Sequence, residues 1–168
     1  LHGDLGVSVT YFPTPVTAGI GTSMPWTALL VGIATVIAAT IGVLLGAFVG
    51  WRPGTWLDSA VPLTTLLAAV PYFWLALVLV YLLSRVLGWF PSQGGYDVVL
   101  NPGWSPEFIA SAIEYGFLPA LTIVIASIGG WLLGMRNMMV STLSEDYILT
   151  ARATGLPQGQ VLRADAAR

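Results

Sequence analysis

Cysteine and lysine are both absent from this 168-residue chain, and histidine occurs once, at His2. Without cysteine there are no disulfides, thiolate metal sites or thiol nucleophiles. A lone histidine leaves no cluster for zinc. Without lysine there is no Walker A phosphate loop, so this chain does not itself hydrolyse ATP as a P-loop subunit would. Charge is scarce as well: 8% of residues are Asp, Glu, Lys or Arg, against about 25% in soluble domains. The formal net charge of -2 is too small to argue for nucleic acid as a partner. The opening residues lack a basic stretch followed by an apolar core, so they do not read as a signal peptide. What fills the chain is oil: 56% of it is hydrophobic and its mean hydropathy is +0.82. The expectation is an all-α membrane protein whose surface faces lipid or other helices.

Charged residues divide the chain into crossings. Asp4 and Arg52 bracket a first apolar stretch at residues 26–50; Asp58 and Arg85 bracket a second at 60–84; Glu114 and Arg136 bracket a third at 116–135. Each holds about 20 residues or more, enough to cross an apolar layer of about 30 Å. Arginines crowd the tail, at Arg136, Arg152, Arg163 and Arg168, which puts the tail in the cytoplasm by the positive-inside rule. Residues 1–25 and 85–115 are then external, 51–59 a cytoplasmic link, and 136–168 a cytoplasmic region. Trp26, Trp51, Trp56, Trp89 and Trp131 fall near the expected span ends, as interfacial aromatics do. The chain starts without Met and stops within a helix-compatible run, which reads as a fragment.

Three features of the spans bear on packing. Ala34, Ala38, Gly42, Gly46 and Gly50 recur every four residues and form one small-residue stripe on a helix. Ala126, Gly130 and Gly134 are expected to repeat the device in the third span. Pro62 and Pro71 each remove a backbone donor and should bend the second span or start a helix. Pro71 and Tyr72, at mid-span beside Phe73 and Trp74, are candidates for a translocation path, with simple packing at least as good an account. The loop after Arg85 is rich in turn formers, and residues 107–113 have apolar positions at helical spacing that suit a short surface helix.

The tail is built differently. Thr142 and Glu145 have capping-box spacing, and Glu145 and Asp146 put negative charge in a first turn. Gly155 suits a left-handed cap and Pro157 prevents continuation, so a short, sharply stopped helix is expected at residues 143–154. A helix lying on anionic headgroups carries several Lys or Arg on its polar face. This one has a single Arg and two acids, which favours docking to a soluble partner.

The run Glu145-Asp146-Tyr147-Ile148-Leu149-Thr150-Ala151-Arg152-Ala153-Thr154-Gly155-Leu156 resembles the EAA loop of ABC importer permeases, in particular the B-type permeases of the dipeptide, oligopeptide and nickel group. Pro71-Tyr72-Phe73-Trp74-Leu75-Ala76, Trp89-Phe90-Pro91-Ser92-Gln93-Gly94-Gly95-Tyr96 and Leu118-Pro119-Ala120-Leu121-Thr122 are similar to further segments of those permeases, in the same order. The resemblance implies a type I ABC importer transmembrane domain in the bacterial cytoplasmic (inner) membrane. It implies pairing with a second permease subunit and two ATP-binding subunits, which carry the ATP and Mg, and delivery of solute by an external binding protein. Glu145, Asp146, Tyr147, Thr150, Ala151, Arg152, Ala153, Gly155 and Leu156 would then be the ATPase-coupling residues. This sequence departs from the pattern at Leu149 and Thr150, where the general motif has its Glu and first Ala, and at Thr154, where Lys is usual. Members have about six spans against the three expected here.

The spans hold no Asp, Glu, His, Lys or Arg, whereas ion-driven carriers usually place such groups there. That favours energy supplied from outside, by a partner. Two other readings stand beside it: a fragment of a secondary transporter or channel, which Pro-broken helices suit, and a membrane anchor or integral enzyme, for which the spans offer no metal ligands or nucleophile-base pairs. Substrate identity is not legible in these residues.

Overall fold

The structure, a computed structural model, describes residues 5–51 and 56–143. It is helical as expected. In chain order come α1 (Val16–Trp51), α2 (Trp56–Ala69), α3 (Tyr72–Leu79), a π-helical segment we label π1 (Val80–Val86), and α4 (Pro106–Leu143). Extended pairing among the described residues is confined to an isolated antiparallel bridge between Val7 and Pro15.

Among the described residues two helices are long and apolar enough to cross a membrane: α1 with 36 residues and α4 with 38. At 1.5 Å per residue they run about 54 and 57 Å, well beyond an apolar layer of about 30 Å. The expected boundaries therefore need correcting. The first helix begins at Val16, ten residues before position 26, and passes through Pro25. The stretch before it is rich in Gly, Thr and Ser and so fails an apolar-length test, yet it is helical. Thr22 Oγ1 donates to the Ala18 and Gly19 carbonyls at 3.2 and 3.0 Å, tying the hydroxyl into the helix wall. Trp26 consequently sits inside α1 rather than at a helix end.

The expected second span is not one helix. It is α2, a break at Val70 and Pro71, α3, and then π1. Pro62 lies inside α2 without ending it, whereas Pro71 caps α3 with extended backbone at ψ 136°. The expected short surface helix and the third span turn out to be one helix. α4 starts at Pro106 and carries on through Pro119 to Leu143. Its start follows from local chemistry. Ser105 Oγ accepts from the Phe108 N–H at 3.3 Å and the Ser105 carbonyl accepts from the Ile109 N–H. Pro106 occupies the first helical position, where its missing donor costs nothing, and Glu107 faces the positive end of the helix dipole. Thr142, expected as a capping residue, is the penultimate residue of α4 and helical.

The chain divides into two compact units, Leu1–Ile37 with Pro71–Val124, and Ala38–Val70 with Ile125–Arg168. In the second unit the glycine stripe of α1 is a buried seam. A Cβ at Gly42 would come within 2.6 Å of the Trp131 Cβ, and one at Gly50 within 2.6 Å of the Met139 Cβ. One at Gly46 would fall on the Leu132 carbonyl. Moving up α1 by eight residues thus moves up α4 by eight, so the two helices run parallel here. Ala126 is buried as expected, but Gly130 and Gly134 are exposed, with nothing within 4 Å of a Cβ there. The buried face instead steps through Thr122, Ala126, Gly129 and Leu132, because a 3.6-residue period mixes steps of three and four. Gly129 is where α2 comes close: a Cβ there would lie 2.8 Å from the Thr64 carbonyl oxygen.

Candidate functional site

Two candidate sites were expected from the sequence, and a third emerges from the fold. The coupling residues Glu145, Asp146, Tyr147, Thr150, Ala151, Arg152, Ala153, Gly155 and Leu156 lie outside the described residues. What the structure does supply is the helix that leads into them. The last described turns of α4 pack on α1, with Arg136 and Met139 against Gly50.

Pro71 and Tyr72 stand at the break in the second span. Trp74 and Leu75 donate their N–H groups to the Pro71 carbonyl at 3.0 and 3.1 Å, which starts α3 afresh. Tyr72, Phe73 and Trp74 are all exposed, and Leu75 is the buried residue of α3. Exposed aromatics beside a helix break are available to a neighbouring helix or a solute path.

The third site lies within the first unit. The loop between π1 and α4 folds against the opening turns of α4 and leaves an open groove of about 550 Å³. Asp97 lines it from the loop, Glu107 and Glu114 from α4, with Trp89, Phe90 and Tyr115 supplying aromatic walls. The loop is pinned at two places. The Asp97 N–H donates to the buried Ser111 Oγ at 2.8 Å, while the Asp97 carboxylate accepts from the Val99 N–H at 3.0 Å. The Phe90 ring lies flat on Phe117, centroids 4.5 Å apart and planes at 8°. A second aromatic group joins α1 to this region: Trp26 stacks on Tyr96 at 6.0 Å, and Tyr96 tilts onto Phe108 at 5.1 Å.

Sequence reasoning read this loop as an external, turn-rich segment with a short surface helix, on the side where a delivery protein would touch, and did not single out the groove. A signal was present. Glu107, Ser111 and Glu114 recur at i, i+4 and i+7, one face of a helix that begins at Pro106. It went unread because the helix was expected to stop at 113. No group of His, Cys, Asp and Glu suited to a metal ion occurs among the described residues.

Residues 42–168 match the model of the Binding-protein-dependent transport system inner membrane component family. The chain belongs to that family. It is 35% identical over 164 residues to the oligopeptide transport system permease protein AppB of Bacillus subtilis, a match that covers 96% of this chain and 50% of AppB. It is 28% identical over 180 residues to the putrescine export system permease protein SapB of Escherichia coli K12, covering 97% of this chain and 56% of SapB. The protein matched equally well in Escherichia coli O157:H7 is named peptide transport system permease protein SapB. The chain thus spans about half the length of these relatives. The likeness to peptide-type ABC permeases read from the short motifs is borne out, as is the all-α membrane permease domain.

Proposed function

We propose that this chain is part of the transmembrane permease subunit of an ATP-driven importer for peptides or similar small solutes. The observation that carries the reading is the parallel packing of α1 and α4 along Gly42, Gly46 and Gly50, combined with family membership. Two parallel membrane-length helices need a return segment between them, and α2, α3 and π1 supply it. That supports three crossings. With the arginine-rich tail in the cytoplasm, residues 85–115 and the groove face outward, toward an external solute-binding protein. Residues 136–168 face inward.

In this reading α4 is the lever of the transporter. It continues without a break from the external groove to the cytoplasmic side, and the coupling segment from Glu145 to Leu156 follows it directly. Closure of two ATP-binding subunits, which hold the ATP and Mg, pulls on that segment. A second permease subunit completes the pathway between outward- and inward-facing states. Hydrolysis belongs to the partner subunits; this chain supplies positioning and motion. Pro71 and Tyr72, at the break in the return segment, line the translocation path. The location is the bacterial cytoplasmic membrane.

Co-purification with the cognate ATPase tests the reading. The full-length permease should retain the ATPase, and Gly155→Trp should lose it; equal retention by both contradicts the docking role. The broken second span also suits a secondary transporter, and uptake that survives loss of every ATPase partner would favour that alternative.

A further inference from the structure

Along α3 and π1, exposure repeats every four residues. Phe73, Leu77 and Tyr81 are 69%, 64% and 63% exposed, and Arg85 follows at the same spacing and is exposed as well. On the other side Leu75 is buried, and Leu79 and Leu83 are half-buried, as are Val80 and Ser84. A straight α-helix does not hold a period of four, because a turn takes 3.6 residues and each step of four overshoots by about 40°. The π run reverses that drift. Its bonds reach back five residues, as the Leu87 N–H does to the Leu82 carbonyl at 3.0 Å, so a turn takes up more than four residues and a step of four falls short. Arg85 thereby returns to the side of Phe73 and Leu77.

The outer side of this segment is graded. Phe73 and Leu77 are wholly apolar, Tyr81 is an aromatic with a polar tip, and Arg85 is a cation. From Phe73 to Arg85 is about 18 Å at α-helical rise, against about 15 Å for half of the apolar layer. One leaflet presents acyl chains, interface and phosphates in the same order over a similar depth. Arg85 is the one cation between Arg52 and Arg136 in the sequence. It has no carboxylate partner among the described residues, and it does not line the groove that holds Asp97, Glu107 and Glu114. Cations are scarce on the outer side of such proteins, so one placed there calls for an anion close by.

We propose that the outer side of α3 and π1 is a lipid-docking stripe in the outer leaflet, with Phe73 and Leu77 against acyl chains, Tyr81 at the interface and the Arg85 guanidinium on the phosphate of a phospholipid. The fork of guanidinium donors matches phosphate oxygens, and the arginine stem lies along hydrocarbon while its head reaches the headgroups. The assignment of the leaflet rests on the topology proposed above. The contact fixes the depth of the half-span that restarts at Pro71.

Two arms test it on the full-length permease assembled with its partner subunits. These 168 residues hold no native cysteine, so Leu77→Cys and Leu79→Cys can each carry a bimane fluorophore in a cysteine-free background. Phospholipids brominated in their acyl chains should quench the label at 77 more strongly than the label at 79. Equal quenching, or none at 77 because the second permease subunit or another helix covers it, overturns the stripe. In the second arm, native mass spectrometry follows phosphatidylglycerol titrated onto the complex in detergent. Arg85→Gln should weaken the tightest site about fivefold, the effect of one cation beside anionic headgroups, and Arg85→Lys should restore most of the binding. Equal affinity in Arg85→Gln and wild type overturns the phosphate contact. Neither readout depends on ATP, so absence of ATP hydrolysis by the assembled wild type would contradict the transporter reading and leave the stripe standing. Reaction of Trp104→Cys with an impermeant reagent only in opened cells would contradict the topology, and the outer leaflet with it.

Discussion

The Cα of Gly46 faces the carbonyl oxygen of Leu132 so closely that no Cβ fits between them. Gly46 is therefore a contact and not a flexible joint. Close approach of this kind is how helices associate where lipid tails remove any hydrophobic drive for pairing. Replacing Gly46 with Ala should destabilise the full-length permease by about 1–3 kcal/mol through overpacking, and Val should do worse. Gly130→Ala and Gly134→Ala, where the Cβ meets open space, should leave thermal stability in detergent unchanged. Equal melting temperatures for Gly46→Ala and Gly130→Ala would refute the seam.

The Ser111 hydroxyl holds the loop to α4 through the Asp97 N–H. Ser111→Ala leaves that donor without its partner, at a cost of about 1–3 kcal/mol. The expected signature is local: faster protease cleavage within residues 92–104 with the melting temperature of the rest little altered. Cleavage at the wild-type rate would show that the aromatic contacts hold the loop alone.

Pro71 interrupts a segment that could otherwise run as one helix from α2 into α3. Pro71→Ala should join the two, and uptake by the assembled transporter should fall roughly tenfold, about 1.4 kcal/mol in the barrier. Tyr72→Ala tests the path role separately, since Tyr72 is exposed and its loss leaves the break intact. Unchanged uptake in Tyr72→Ala would remove Tyr72 from the path.

Sidedness is open to a direct measurement. A cysteine introduced at Thr150 should react with an impermeant thiol reagent only after cells are opened, whereas one at Trp104, 94% exposed in the groove loop, should react in sealed cells. Labelling of Thr150→Cys from outside would invert the topology and with it the proposed docking to a cytosolic ATPase.

Much of this architecture was legible in advance where one residue type carries one physical consequence. Pro71 lacks a donor, and a helix does restart there. The four-residue spacing of Gly42, Gly46 and Gly50 puts them on one face, and that face is buried. Helix ends were harder. Residues 16–25 and 106–115 are too polar to count as span, yet each continues a membrane-length helix, because helix formation propagates once begun and hydroxyl side chains can bond back to the helix wall. The groove residues were visible singly. Their convergence depended on the loop folding onto α4 through Asp97 and Ser111, a contact fourteen positions apart.

Composition alone determined that these 168 residues suit a membrane and hold neither the cysteine of a thiol site nor the lysine of a P-loop, since that depends only on which side chains exist. The short motifs likewise pointed to the permease family. Only the tertiary structure decided that the Gly42–Gly50 stretch of α1 runs parallel to α4, that Gly129 rather than Gly130 meets a neighbour, and that α3 runs on into a π-helix. Those outcomes depend on which backbones approach each other, and that is settled by the packing of segments distant in the chain.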